Sequence, residues 1–423
     1  MALAALSEAD RRAYEANIWK FMLFRWLVNF QLWMPIWVIY LTDQRGLSLT
    51  QVTVLDTAFW IFLVVMEVPT GAIADRYGRK MSLCIGAFAN TIAVFVFGIG
   101  DNYPVILASY MAWGVAWTLF SGADAAFFYD SLKALGRERD YAKLFGKTFA
   151  IQSSGILVSL PIGSFIAAQT SLATPVVLSA GIMLVAAFVG LSFKEPPRVL
   201  DGHSQLGYLA GTKKAAQIVL GTPVIRWFML LAAVIVATTM CVDILKQPFL
   251  DSHGVDVGNL WLWLVPGTVL GMAASLNAHR LVARFGAAAL MVVLPLVILL
   301  SLGLLGTFDS LGAWAIVPVV AMASSMTYPL VSGYLNQRIP SSQRATILSM
   351  YQLLFALVVA GLEPLAGWVA DERGLPVAYR TLAIILALVA APLLALWLRA
   401  SRAAGRAEAV AVAPLEPIPA ESS

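Results

Sequence analysis

Apolar residues fall into twelve blocks along this chain, each close to the ~20 residues that cross a bilayer as a helix. The blocks cover 19–41, 49–74, 80–99, 103–131, 147–168, 174–193, 223–250, 257–279, 285–306, 311–335, 345–370 and 377–399. Short polar segments separate them. In lipid each helix must satisfy its own backbone hydrogen bonds, so the pattern predicts an all-α membrane protein with twelve transmembrane helices. The longest internal polar stretch, 194–222, splits the spans six and six. That division predicts two pseudo-symmetric six-helix bundles, residues 1–193 and 223–400, joined by a linker at 194–222. Residues 213–222 suit a short interfacial helix. The tail, 401–423, is rich in Ala, Pro, Glu and Ser and is expected to be disordered.

Composition agrees with the pattern. Of 423 residues 60% are apolar and 12% charged, against roughly 45–50% and 25% in soluble proteins. The basic residues give the orientation. Of the 28 Lys and Arg residues, 23 fall in segments that alternate onto one side, and only Arg45, Arg373 and Arg380 fall on the other. The positive-inside rule puts that side, with the linker and both termini, in the cytoplasm. The net charge of +4 follows from this bias and gives no reason to expect nucleic acid. Cys84 and Cys241 sit within spans of opposite halves, so neither a disulfide nor a metal site is expected. No P-loop is present to support ATP-driven transport.

The densest charge lies between spans two and three, in Gly71-Ala72-Ile73-Ala74-Asp75-Arg76-Tyr77-Gly78-Arg79-Lys80. Gly71 suits close helix packing and Gly78 a sharp turn. From Gly71 to Leu83 this segment resembles the signature loop of the major facilitator superfamily, G-x-L-a-D-r-x-G-r-k-x-x-l, in which only Ile73 departs. The bundle division and loop position extend the resemblance over the whole chain. The resemblance implies alternating access around a cavity lined by spans one, four, seven and ten. It also implies a gate. Asp75 would face the start of span eleven at Ser341–Arg344, where a helix N-terminus favours a carboxylate. Arg79 would pair with Asp130, and Arg76 would belong to the same hairpin. Span five carries a partial copy of the family's antiporter pattern in Gly155, Pro161, Gly163 and Ser164, with Ser159 replacing one glycine and the proline shifted by one. This leans towards export, in the manner of bacterial drug-efflux members. The halves also repeat. Leu160-Pro161-Ile162-Gly163 in span five matches Glu363-Pro364-Leu365-Ala366-Gly367 in span eleven. Ala278 to Gly286 looks like a weakened copy of the charged hairpin.

Ionisable groups within the hydrocarbon cost roughly 2.5–3.5 kcal/mol each to insert, so they are the first functional candidates. Arg25, Asn29, Trp33 and Trp37 share one face of span one. Trp113, Trp117, Ser121, Asp124 and Phe128 share one face of span four. Matching depths in these antiparallel spans puts Trp37 near Trp113, Trp33 near Trp117, Asn29 near Ser121 and Arg25 near Asp124. The last pair either exchanges its ionic partner for a proton or a cationic substrate, or statically clamps two helices. Glu67 lies at a similar depth and is a candidate second acid in that network, or else marks a kink at Pro69. Asp56 suits an outer vestibule, and Asp243 with Lys246 a local pair. Ser325, Tyr328, Ser332 and Asn336 form a polar stripe on span ten. Glu363, beside Pro364, is a candidate for coupling or for supporting a broken helix.

These residues point to a secondary transporter, not an enzyme, in a bacterial inner membrane. The leading expectation is proton-coupled export of a small amphipathic or cationic compound, with no cofactor and as a monomer. Uptake of an anionic or zwitterionic metabolite anchored by Arg25 is the alternative, and a non-transporting receptor or scaffold the second.

Overall fold

A computed structural model of the chain describes residues 6–197, 208–339 and 343–412. They form helices and their connections, with no strand among them. The helices are α1 (Glu8–Asn29), α2 (Trp37–Ile39), α3 (Leu49–Tyr77), α4 (Arg79–Ile99), α5 (Tyr103–Ser121), α6 (Asp124–Ala134), α7 (Tyr141–Gln169), α8 (Ala173–Leu191), α9 (Tyr208–Gly221), α10 (Pro223–Ser252), α11 (Leu260–Thr307), α12 (Val317–Asn336), α13 (Arg344–Arg373) and α14 (Leu375–Val412). Among the described residues, ten segments are long and apolar enough to cross a membrane. Two features of the fold raise that to twelve spans. The first span is interrupted between α1 and α2, and α11 is two spans that meet at Gly286, whose φ is +79°. Twelve passes put all the basic loops at one end, here the basic end, and leave the opposite, far end nearly free of them.

The breaks have local causes. In the first span Pro35 cannot donate a backbone hydrogen bond, and residues 30–36 leave the α-helix. Polar side chains from neighbouring helices bond the freed backbone. Leu32 N–H donates to Ser179 Oγ at 3.0 Å, Val38 N–H donates to Gln247 Oε1 at 2.9 Å, and Gln247 Nε2 donates to the Met34 carbonyl at 2.9 Å. Irregular backbone at membrane depth survives only when it is served in this way. The fourth span breaks at Gly122–Ala123, which makes Asp124 the first residue of α6. A carboxylate there meets the partial positive charge of a helix N-terminus.

The charged hairpin is tighter than expected. α3 runs on to Tyr77 and α4 starts at Arg79, leaving Gly78 alone between them at φ +106°. No side chain but hydrogen enters that region cheaply. The second half repeats the device at Gly286, where spans eight and nine meet six spans further on, as the weakened copy suggested. Gly71 differs from expectation. It lies inside α3, and a Cβ built on it meets nothing within 4 Å, so it is not a close-packing site in this conformation. The expected 401–423 tail is also helical in part. α14 continues to Val412 through an alanine-rich run, and alanine is the strongest helix former. Residues 413–423 and the linker positions 198–207 lie outside the described residues.

At the far end the two halves are clasped together. Asp371 of α13 accepts from Leu49 N–H at 2.9 Å, Thr50 N–H at 2.8 Å and Thr50 Oγ1 at 2.6 Å, capping α3 from the other bundle. Gly367 lets α13 come close enough that a Cβ there would lie 2.7 Å from the Leu49 carbonyl oxygen. The hydrogen bonds through Gln247 lie in the same half of the bilayer.

Candidate functional site

Two cavities lie between the halves and share Met34, Ile156, Met240 and Asp243 in their walls. The first, of about 220 Å3, is lined by seven aromatic residues: Trp33, Trp37, Phe59, Trp60, Tyr110, Trp113 and Trp117. Asn29, Gln31, Asp56 and Asp243 supply its polar atoms. Its rings meet edge to face, Trp33 on Trp113 at 5.2 Å and Trp113 on Trp117 at 6.4 Å between centroids. That geometry sets the positive edge of one ring against the negative face of the next. The buried indole N–H of Trp33 has no acceptor among the described residues and is available to a ligand. The second cavity, of about 570 Å3, runs from Trp263 and Trp314 near the far end to Gln152, Phe149 and Tyr328 nearer the basic end. Tyr328, in the second cavity, is 68% exposed and Trp117, in the first, 42%, so both cavities are open at these side chains.

The depth matching of spans one and four is right at one end and off by a turn at the other. Arg25 and Asp124 form an ion pair, 21% and 13% exposed. Trp33 meets Trp113 instead of Trp117, because the non-helical residues 30–36 rise further per residue than a helix. Asn29 donates to the Arg25 carbonyl at 2.8 Å, while Ser121 turns its hydroxyl back to the Thr118 carbonyl at 3.2 Å, so these two do not meet. The guanidinium of Arg25 is also held by Gln152 of α7, whose Oε1 accepts from Nε at 3.0 Å. Gln152 was not singled out from sequence, although it is a lone amide in an apolar run.

Glu67 does not join this network. It is exposed on α3, eleven residues and so about three turns from Asp56 on the same face. Of the span-ten stripe, Ser325 and Tyr328 line the larger cavity. Asn336 instead donates to Ser332 Oγ at 3.2 Å, and its carbonyl accepts from Arg344 at 2.9 Å. Lys246 pairs with Asp243 on α10, and both line the larger cavity.

Glu363 is wholly buried where α13 crosses α3. Its Oε2 lies 3.5 Å from Thr57 Oγ1. Asp56, the residue before Thr57 on α3, accepts from Trp60 Nε1 at 2.9 Å. Asp56 therefore lies at the bundle interface, not in an outer vestibule.

In the hairpin, Arg79 is paired with Asp130 and donates to the Ala126 carbonyl at 2.8 Å. Arg76 stacks over Tyr77, 5.5 Å from the ring centre. Of the expected Asp75 contact, Ser341 and Ser342 lie outside the described residues. A further partner comes from the linker. The two oxygens of Glu195 accept from Arg79 N–H at 2.9 Å and Lys80 N–H at 2.8 Å, capping α4. Replacing Glu195 by Ala is expected to cost about 0.5–2 kcal/mol, as loss of a helix cap does. Thermal unfolding of the purified variant checks this, and an unchanged midpoint would show the cap to be dispensable.

The sequence profile described as Major Facilitator Superfamily matches residues 21–362. Quinolone resistance protein NorA of Staphylococcus aureus is 27% identical over 147 residues, 35% of this chain and 37% of that protein. Multidrug resistance protein 1 of Bacillus subtilis is 28% identical over 173 residues, 41% and 43% respectively. The chain thus matches less than half the length of these relatives. Among solved structures, the nucleoside transporter NupG superposes with a TM-score of 0.74 at 12% identity, covering 91% of this chain and 99% of that one. A bacterial homologue of the human lysosomal transporter Spinster, inward-facing and unoccupied, gives 0.70 at 17% identity over 94% and 98%. At these identities the likeness is one of fold.

Proposed function

The chain belongs to the Major Facilitator Superfamily, and we propose that it exports a small amphipathic cation by alternating access, in exchange for protons. It is a multi-pass membrane transporter and not an enzyme. The observation that carries the substrate reading is the first cavity, with seven aromatic rings and two carboxylates, Asp56 and Asp243, in its wall. Ring faces attract organic cations, by up to about 2 kcal/mol or more where water is excluded. The drug-resistance names of the two relatives support the same reading.

Uptake of an anion anchored by Arg25 has less support, since Asp124 and Gln152 already occupy its guanidinium. A receptor that no longer transports is a weaker reading still, because the hairpin with its Arg79–Asp130 pair suits a gate. We place the chain in a bacterial cytoplasmic membrane with both termini inside, on the charge bias of the loops. Residues 1–193 and 223–400 then rock about the cavity with 194–222 as linker. The far-end clasps and the exposure of Tyr328 fit a state open to the cytoplasm.

The reading is tested by titrating tetraphenylphosphonium into purified protein and following tryptophan fluorescence. Trp113→Ala is expected to weaken binding roughly tenfold or more, about 1.4 kcal/mol. Asp243→Asn should weaken it in the same direction. Tighter binding of tetraphenylborate, the anion of matching shape, would overturn the cation assignment.

A further inference from the structure

We propose that Gln152 of α7, oriented by Arg25 and Asp124, is a specificity-determining donor in the larger cavity, and that the transported cation carries a carbonyl-type hydrogen-bond acceptor. That class of substrate rests on the cation reading above, whereas the orientation of the amide does not. An amide has an accepting oxygen and a donating nitrogen, and its neighbours decide which way it points. Here the neighbour is a guanidinium, which only donates. Gln152 Oε1 accepts from Arg25 Nε at 3.0 Å and from Arg25 Nη2 at 2.5 Å. The remaining guanidinium nitrogen, Nη1, is paired with Asp124. The opposite orientation would set the amino group of Gln152 against N–H donors on a cation. The guanidinium is thus held from both sides, by a carboxylate of α6 and an amide of α7, and Gln152 can turn only its Nε2 away from it. Among the described residues nothing bonds Nε2, and it is not one of the buried polar atoms sealed from solvent. Gln152 lines the larger cavity, so the N–H donors of its Nε2 are offered there.

Other polar groups in that wall discriminate less. The hydroxyls of Ser325 and Tyr328 either donate or accept, so they suit both kinds of ligand group. Thr239 and Ser324 bond each other at 3.0 Å, and Lys246 is taken up by Asp243. An amide nitrogen can only donate. Water serves it while the cavity is wet. A ligand that displaces this water without bringing an acceptor leaves the donor unpaired, which costs more than the bond would have gained. Gln152 therefore selects against purely apolar cations.

The two cavities give such a substrate its shape. Ile156 follows Gln152 on α7 by four residues, about 6 Å along the helix, and lines both cavities. A cation among the aromatic rings of the first cavity can pass a short arm beside Ile156 and place its acceptor at Gln152. Arg25 and Asp124 are then positioning residues, which act on the substrate through the amide they hold.

The test compares two triphenylphosphonium cations of matching length, one with a heptyl chain and the other with an ethyl butanoate chain. Quenching of tryptophan fluorescence gives both dissociation constants for the purified protein, and their ratio is the readout. Gln152→Leu is expected to lower the preference for the ester by about two- to tenfold, the range for one neutral hydrogen bond. Gln152→Glu separates recognition from structure. Its carboxylate still accepts from Arg25 but has no N–H to offer, so the ester preference should fall as far. If Gln152→Leu fails to fold, Gln152→Glu carries the test. The double variant Arg25→Met with Asp124→Asn frees the amide to turn and should lower the ratio although Gln152 is intact. A Gln152 that merely clamps Arg25 predicts an unchanged ratio in Gln152→Glu, and that result overturns the proposal. A ratio unchanged in the double variant overturns the positioning role of Arg25 and Asp124. Neutral triphenylmethyl compounds with the same two chains separate the amide from the cation reading. If they bind more tightly than the phosphoniums, with a ratio that depends on Gln152, the cation reading fails and the acceptor subsite stands. If the phosphoniums bind more tightly and the ratio ignores Gln152, the subsite fails and the cation reading stands.

Discussion

Arg25→Met is expected to destabilise the protein by about 3–5 kcal/mol, because it leaves Asp124 charged and partnerless inside the N-terminal bundle. The sign rests on what else surrounds that carboxylate. Its Oδ1 has no hydrogen-bond partner among the described residues and its Oδ2 depends on Arg25. Its place at the start of α6 offers the helix dipole, which is worth at most about 2 kcal/mol. Dipole alone cannot replace the guanidinium. The double variant Arg25→Met with Asp124→Asn should recover much of the loss, since a buried ion pair exchanged for neutral groups of similar volume is often close to neutral. Thermal unfolding of the two single variants and the double closes the cycle and isolates the coupling between the partners. An Arg25→Met protein that melts with the parent would mean that water or another cation already serves Asp124. The same variants separate clamp from carrier. A static clamp predicts that the double variant, once folded, still moves substrate with unaltered pH dependence, whereas a proton-exchanging pair predicts that it does not.

How far the sequence foretold this site depends on the distance over which each contact is decided. Spans were legible because hydropathy is a local property, and each helix bonds itself. Arg25–Asp124 and Arg79–Asp130 were legible because a charge in an oily helix needs a partner at its own depth, and few candidates exist. Contacts between bundles were not legible. Thr57 and Glu363 are separated by eight other spans, and nothing local marks them as neighbours. The aromatic register failed for a related reason. A helical ruler places Trp33 against Trp117, but Pro35 unwinds the chain beside it, and the extra rise carries Trp33 a full turn towards Trp113. Ser332 and Asn336 continued a polar stripe by spacing, yet near the basic end they bond each other and Arg344 instead of facing the cavity.

Gly163→Val is expected to disrupt folding more than any other glycine substitution in the spans. The reason lies in the same break of the first span. A Cβ on Gly163 of α7 would collide with the Leu32 carbonyl oxygen and lie 2.8 Å from its carbonyl carbon. Contacts with the end of a flexible side chain can relax by a rotamer change, but this one is with backbone. Leu32 cannot retreat freely, because its own N–H is held by Ser179 Oγ at 3.0 Å on the other side. Moving the carbonyl away would give up a hydrogen bond that unwound backbone in a bilayer cannot easily replace. Overpacking of this kind typically costs about 1–3 kcal/mol, and a Val should exceed what an Ala costs. Gly181, also within a helix, has nothing within 4 Å of its Cβ position. Gly181→Ala should therefore be neutral or stabilising by up to about 1 kcal/mol, through helix propensity alone. Detergent-solubilised variants compared by size-exclusion profile and melting temperature check the contrast. Equal behaviour of Gly163→Val and Gly181→Ala would mean that α7 does not press on the unwound segment. The partial antiporter pattern in α7 then has a physical content: its glycine is where a helix meets the naked backbone of the first span, so the shape of the cavity wall depends on the absence of one carbon.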